Sequence, residues 1–416
     1  MWLTDIYTVI QRTKDLGYSA EIFMVELNEI QIKREKQYQN VHISERGYGL
    51  RIIKDGKLGF AYGNKLGNLL DLAIDSLKAS KEDKFNVLPS PEKISKMNLK
   101  FFNISEGEEK IKELMNYSNE IREVVNVLSE YYNALNLKVK VVSTEGIDVE
   151  EDRSLISFSV TYNVKSDVEI SPEIYEYKAS RNPKQLDIEK IKDKVALMKK
   201  IYGSKREKLE MKLTSAKFTT KALAELFVPL FSTSISLENY FRGKTPLKEN
   251  EVINPNLEIV DNPLISSTPY SRSFDAEGLP SKVNVLIEEG KIVKFLSNTY
   301  WSLKAGKENT HSSLRSYSTL PFISPSILEV NVKENGENEI VIDQVQGVHT
   351  SNFDTGEFSV VASIVWNEKE EKAYRELTVS GNIKELLKGI EGKSGEKELY
   401  GNLYSPSLII KGVNVS

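Results

Sequence analysis

Cysteine is absent from this 416-residue sequence, and histidine is nearly so, with only His42, His311 and His349. Without a thiol there is neither a cysteine nucleophile nor a thiolate metal ligand. The three imidazoles are far apart in sequence. The helical kind of zinc site, two histidines about a turn apart with a third donor, therefore has no candidate segment. A metal site would have to gather remote residues, and nothing in the spacing points to one. No run approaches the roughly 18 apolar residues of a membrane-spanning helix. Charge of one sign is not concentrated either: 56 Lys and Arg stand against 60 Asp and Glu, a net charge of -4, and runs such as Lys304 to Glu308 mix both signs. Nucleic-acid binders draw most of their affinity from a basic face, so no nucleic-acid partner is expected. Internal repeats and low-complexity tracts are also missing.

What is present is the composition of a soluble globular protein, 40% hydrophobic and 28% charged, with enough chain for two or three domains. Abundant Lys, Glu and Ile beside little His and no Cys are compatible with a thermophilic source, where ion-pair networks cost less. The opening segment MWLTDIYTVIQRTKDLG carries an apolar stripe at Leu3, Ile6, Ile10 and Leu16, broken by Asp5, Arg12, Lys14 and Asp15. That pattern predicts an amphipathic helix rather than a signal peptide. The expected location is the cytoplasm, with no membrane partner.

Residues 20 to 62 read as strands: Phe23, Val25 and Leu27 alternate, and GYGLRIIKDGKLGFAYGN sets Asp55-Gly56 between two apolar runs. Asp-Gly there predicts a tight hairpin, because both residues tolerate positive φ. Gly47, Gly49, Gly59 and Gly63 lie in and around these paired strands and open no helix, which argues against a phosphate-cradling loop. A helix is predicted over about 66–80, and another from a capping box at Ser105 and Glu108, with Ile111, Leu114, Met115, Ile121, Val125, Leu128 and Tyr132 at helical spacing. Strands follow at LKVKVVS, from Leu155 to Tyr162 beyond a turn at Glu145-Gly146, and around Ile174 to Ala179. A helix over about 187–202 starts from Asp187 as N-cap. The tight turns favour antiparallel pairing.

The polar stretch GSKREKLE marks a boundary between an N-terminal α+β domain, 1–208, and a C-terminal β-rich domain, 209–416; a further split of the first near 85–105 stays open. The second domain has one main helix, about 219–237, and a short one around Ile383 to Gly389. Its turn chemistry lies at Asn254-Pro255, Asp261-Asn262-Pro263, Glu289-Gly290, Asn335-Gly336 and Thr355-Gly356. The expected architecture is α+β, an antiparallel sheet followed by a curved or barrel-like sheet around one buried helix.

Three segments bear on chemistry. In the main helix Leu223, Leu226, Phe227, Leu230, Phe231 and Ile235 form an apolar face, with Glu225 and Pro229 opposite; Pro229 should loosen the helix. Either Glu225 pairs with Lys221 at i, i+4 on a solvated face, or the polar side lines a cavity. SRSFDAEGLP carries Asp275 and Glu277, which are either turn formers beside Gly278 and Pro280 or a carboxylate pair able to act as acid or base, one pKa being pushed up in a dry site. GKENTHSSLRS holds His311 and Arg315, a surface loop or a ligand and a carboxylate clamp. His349 stands beside the Asp354-Thr355-Gly356 turn and His42 in a strand, neither with a visible partner.

Taken in order, these segments resemble the TldD/PmbA family, described as modulators of DNA gyrase and associated with a metalloprotease acting on peptides and unfolded segments. The resemblance is carried by ERGYGLRIIKDGKLGFAYGN (45–64), SFDAEGLP (273–280) with LIEEGKIVKFL, GKENTHSSLR, DTGEFS (354–359) and TVSGNI (378–383), over nearly the whole chain. It implies two branches working as a heterodimer. The TldD-like branch carries zinc ligands in His-Glu-x-x-x-His, on the helix opening the second domain, and a late cysteine; the PmbA branch, also called TldE, lacks them. Here the matching stretch is AELFVP, with Ala224 and Pro229 at the histidine positions and Glu225 at the glutamate, so the chain is similar to the PmbA branch. The resemblance implies no catalytic residue and no metal or other cofactor in this chain, and zinc in a TldD-like partner. The chain would complete the substrate cavity, with Asp275, Glu277, His311 and Arg315 as candidate wall residues and an extended peptide or unfolded segment bound by strand addition. Isolated chains would form a homodimer. Two other readings remain: a peptidase active by itself through carboxylates or a metal on His311 or His349, and a regulatory protein acting on a gyrase.

Overall fold

The structure, a computed structural model, describes residues 5–186, 188–209 and 213–415. Leu3 of the expected N-terminal stripe and Asp187, the expected helix cap, lie outside the described residues. Helix α1 (Ile6–Asp15) begins where the Asp5 carboxylate accepts the Thr8 N–H at 2.7 Å, and it buries Ile6, Val9 and Ile10. Leu16, expected in that stripe, is instead the exposed C-cap, because the chain turns away at Gly17 with φ 75°.

Strands β1 (Ser19–Arg34), β2 (Tyr38–Lys54) and β3 (Lys57–Gly63) precede helices α2 (Leu69–Ala79) and α3 (Ile104–Val124), and β4 (Asn126–Ser143), β5 (Asp148–Asn163) and β6 (Ile174–Ser180) follow. They form a six-stranded sheet in the order β3-β2-β1-β4-β5-β6, antiparallel throughout. The hairpin forms as expected, with Asp55 at φ 52° and Gly56 at φ 73° in its turn. Two expectations for α3 fail. Its N-cap is Asn103, whose side chain accepts the Glu106 N–H at 2.9 Å, so the cap lies two residues before Ser105. Leu128 and Tyr132 belong to β4, not to the helix. Residues four apart share a face in either period, and β-branched Val125 and Val127 favour the extended chain there.

One face of this sheet is covered by helices. Ala20, Ile22, Leu50 and Ile52 pack with α1 and α2, while Ile30, Ile32, Tyr132 and Phe158 pack with α3 and with α4 (Glu189–Tyr202). The same helical layer takes Val341, Ile364 and Trp366 from the second half of the chain.

That half contains β7 (Leu213–Phe218), α5 (Thr220–Ser234), α6 (Leu237–Phe241), β8 (Leu257–Asp261), β9 (Asn284–Glu288), β10 (Lys291–Ile292), α7 (Thr299–Ala305), β11 (Ser313–Leu314), β12 (Phe322–Ile323) and β13 (Leu328–Val332). It continues with β14 (Ile340–Gln346), β15 (Glu357–Asn367), β16 (Lys372–Ala373), β17 (Leu377–Asn382), α8 (Ile383–Lys388), β18 (Ile390–Tyr400) and β19 (Leu403–Val415). Pairing of β19 with β7 closes β7-β14-β15-β17-β19 into a five-stranded barrel, the remaining strands extending from it. Barrel-like closure around a main helix thus matches the sequence reading. The helix is shorter than the expected 219–237: it stops at Ser234, and α6 follows as a separate turn. Pro229 offers no N–H to the preceding turn, and its own carbonyl accepts the Thr233 hydroxyl at 3.0 Å. Leu223, Leu226, Phe227, Leu230 and Phe231 are buried in one core with Phe218, Ile342, Val360 and Leu408 of the barrel. Each fully buried side chain of this size contributes roughly 1.5–3 kcal/mol.

The sheet's second face meets loops of the barrel half. Phe23, Val139 and Val141 pack on Phe274 and Ala276. A Cβ on Gly49 would lie 2.3 Å from the Tyr317 carbonyl oxygen, and one on Gly47 would lie 2.3 Å from the Tyr317 ring. These two glycines are therefore the ground on which the loop between β11 and β12, carrying Tyr317, sits.

Candidate functional site

The polar side of α5 is neither solvated nor simply apolar. Thr219 caps the helix through the Ala222 N–H at 3.3 Å, and the first turn sends Lys221 toward β6 and β14. Lys221 is 5% exposed; its ammonium lies 3.2 Å from Glu176 and 3.5 Å from Asp343. Asp343 also takes Lys194 at 2.7 Å. Glu225, one turn further, accepts the Val345 N–H at 2.6 Å. The expected surface pair of Lys221 with Glu225 is thus replaced by a buried cluster, since β6 and β14 supply two carboxylates at closer range. A cleft of about 440 Å³ opens beside it, lined by Glu176, Lys194, Lys221, Asp343 and Tyr400. Glu225 is not among the residues lining it.

The cluster divides its charges unevenly. Burial pushes Glu225 up to about 7, against the pull of Lys221 and the Val345 N–H. Burial also opposes ionisation of Asp343, but Lys194 and Lys221 outweigh it and hold that carboxyl down at about 2. The arrangement does not fit a zinc ion, because an ammonium already lies among the carboxylates where a cation would go. Among the described residues no three His, Cys, Asp or Glu side chains are placed to hold a metal. His42 and His349 are both exposed, in β2 and in the turn Val348–Thr350.

The four expected wall residues come together elsewhere, between the sheet's second face and the loops after β8 and α7. All are buried: Asp275 and Glu277 are 1% exposed, His311 4% and Arg315 6%. The surface-loop reading of His311 and Arg315 is therefore wrong, the loop being covered by the N-terminal sheet. Asp275 does form a turn, its Oδ1 accepting the Glu277 and Leu279 N–H groups at 2.9 and 3.1 Å, and its Oδ2 also accepts the Ser313 N–H at 3.2 Å. Burial first, and the charge of Glu277 second, push it up to about 7. His311 meets the Pro280 carbonyl oxygen at 2.7 Å through Nδ1, and Glu92 at 3.4 Å through Nε2; burial lowers its pKa.

Glu277 and Arg315 join a chain of buried charges. Arg315 donates to Glu21 at 2.6 Å, and Arg51 donates to Glu21 at 3.0 Å and to Glu277 at 3.3 Å. Glu21 and Arg51 are direct cross-strand partners of β1 and β2. Burial works against ionisation of Glu21, but the two guanidinium groups overcome it and keep its pKa below the ordinary value. The second oxygen of Glu277 accepts the Thr299 N–H at 2.9 Å, in the first turn of α7. Glu277 lines a cavity of about 190 Å³. Asp275, His311 and Arg315 are not among that cavity's lining residues.

Glu21, Arg51, Glu176, Lys194 and Asp343 were not singled out from the sequence. A signal was available: Glu21 in AEIFMV, Arg51 in LRII and Asp343 in IVIDQV each place a charge inside an otherwise apolar strand. A strand buried on both faces tolerates such a charge only with a buried partner.

Comparison with known proteins finds family domains at both ends of the chain. The model of the family domain described as "PmbA/TldA metallopeptidase C-terminal domain" matches residues 213–416, and that of "PmbA/TldA metallopeptidase domain 1" matches residues 20–80. An uncharacterized protein of Methanocaldococcus jannaschii is 27% identical over 98% of this chain and 99% of its own length. A "Metalloprotease PmbA homolog" of Buchnera aphidicola is 23% identical, covering 100% of this chain and 96% of the relative. The crystal structure of TldE from Thermococcus kodakarensis matches with a TM-score of 0.85 at 23% identity over 99% of both chains, which establishes a common fold.

Proposed function

The chain belongs to the TldD/PmbA family, and from that premise we propose that it is the non-catalytic subunit of a TldD/TldE-type peptidase. It pairs with a metal-bearing TldD-like subunit in the cytoplasm, completes the cavity that receives a peptide or unfolded segment, and forms homodimers when isolated. The observation that carries this reading is α5. It contains no histidine, with Ala224 and Pro229 at the positions the family resemblance assigns to the metal-bearing branch's ligands, and the ammonium of Lys221 lies beside the Glu176 and Asp343 carboxylates.

A zinc peptidase uses its metal to lower the pKa of bound water and to polarise the scissile carbonyl. Glu225, titrating at about 7, is able to take up a proton. With Lys221 as its charged neighbour it has no Lewis acid to work with. The role left to this chain is to bind and position. Its long strands offer backbone edges to an extended peptide, and recognition by strand addition needs no defined side-chain sequence.

Size-exclusion chromatography with mass determination, on this chain mixed with a His-Glu-x-x-x-His family member from the same source, tests the pairing. An equimolar complex replacing the separate species is expected. Two proteins that elute unchanged at micromolar concentration would overturn it.

A further inference from the structure

The cavity on Glu277 has a composition that selects a ligand. Its floor is the Arg51–Glu277 ion pair, at 3.3 Å, with the two residues 5% and 1% exposed. Its walls include Tyr300, Trp301 and Phe85, and the rings of Tyr300 and Trp301 meet edge to face at 5.0 Å. Its rim includes Val87 and Leu320, exposed apolar side chains at 40% and 41%. At about 190 Å³ it holds an aromatic ring but not a folded peptide segment.

The floor pairs a donor with an acceptor and is neutral as a unit. Arg51 makes both of its hydrogen bonds through Nη2, and its Nε has no acceptor. Each Glu277 oxygen takes one hydrogen bond, from Arg51 and from the Thr299 N–H, which leaves lone pairs free. A carboxylate ligand would gain from Arg51 what it loses to Glu277, and an ammonium the reverse, so a charged ligand has no net attraction to offset its lost hydration. A purely apolar ring would cover the pair without replacing its lost water. A phenol does better: its oxygen accepts from the guanidinium, its O–H donates to the carboxylate, and its ring lies against aromatic walls.

We propose that this cavity is a binding pocket for a tyrosine side chain. Resting on the reading of the chain as a peptide-receiving subunit, the pocket would anchor a tyrosine of the bound segment, adding a side-chain preference to strand pairing.

Binding of N-acetyl-tyrosinamide and N-acetyl-phenylalaninamide to the purified full chain tests the pocket without a partner subunit. Ligand-detected NMR and calorimetry are suitable readouts. The tyrosine amide is expected to bind with a dissociation constant at or below about 5 mM, and at least about tenfold tighter than the phenylalanine amide. Leu320→Trp, a rim substitution outside the ion-pair network, should abolish binding. Equal affinity for the two amides, no binding of either at about 20 mM, or an unchanged affinity in Leu320→Trp would each overturn the proposal. Those failures would leave formation of a complex with the TldD-like subunit untouched, so the two readings fall separately.

Discussion

Replacing Glu225 by glutamine isolates the titration that burial imposes on α5. Glutamine keeps an oxygen for the Val345 N–H, now met at 2.6 Å, and keeps the volume of the side chain, but it cannot ionise. The folded-state pKa of Glu225 stands at about 7 against an ordinary 4.5, with burial as the main cause. Below 4.5 the group is neutral whether the chain is folded or unfolded, and its contribution does not change with pH. Between 4.5 and about 7 the unfolded chain releases a proton that the folded chain retains, so stability falls as pH rises; above about 7 the loss is complete. At roughly 1.4 kcal/mol per pH unit, the wild-type chain carries a penalty of about 3 kcal/mol at pH 8 that Glu225→Gln does not. Loss of the attraction to Lys221 is already contained in that figure, because Lys221 favours the ionised form in the folded chain. Urea unfolding followed by tryptophan fluorescence at pH 5 and pH 8 measures the difference, read from midpoints at constant m. The variant should gain about 2–3 kcal/mol on the wild type between these two pH values. A stability difference that is the same at both would refute the reasoning, as would a Glu225 carboxyl resonance titrating near 4.5.

Other substitutions test the remaining packing. Arg315→Met should cost about 3–5 kcal/mol by leaving Glu21 buried with one guanidinium, and adding Glu21→Gln should recover at least about 1 kcal/mol in a double-mutant cycle; strict additivity would contradict the network. Because the Glu21 pKa is lowered, the stability its ionised form supplies is present above its ordinary 4.5 and is lost as pH falls through the folded value. Asn103→Ala should lower stability by about 1 kcal/mol and Ser105→Ala by less than about 0.5 kcal/mol, the reverse of what a cap at Ser105 would give. In Gly49→Ala the new Cβ would meet the Tyr317 carbonyl oxygen at 2.3 Å. A loss of at least about 2 kcal/mol and faster proteolysis around Tyr317 are expected; an unaffected cleavage rate would mean that the loop does not rest on β2.

The parts of this fold that were legible in the sequence are those set by local chemistry. Asp55-Gly56 allows few alternatives to a tight turn, and strand periodicity with turn residues marked both the antiparallel sheet and the barrel-like half. Local reasoning failed where one spacing serves two periods, as at Leu128 and Tyr132, and where two capping residues compete, as at Asn103 and Ser105. It also missed what only long-range pairing creates. Nothing adjacent to Lys221 announces Glu176 and Asp343, which arrive from β6 and β14. Nothing beside Arg315 announces Glu21, 294 residues away. His311 and Arg315 looked solvated because their segment is polar; they are buried because Gly47 and Gly49 let the following loop descend onto the sheet.

In the proposed division of labour this chain binds and positions while a partner cleaves. Zinc content and cleavage of an unfolded peptide, measured on the purified chain alone and then with a TldD-like protein from the same source, test it directly. The expected result is no stoichiometric zinc and no cleavage by the chain alone, with cleavage arising or changing specificity in the mixture. Stoichiometric metal together with chelator-sensitive cleavage by this chain alone would contradict it.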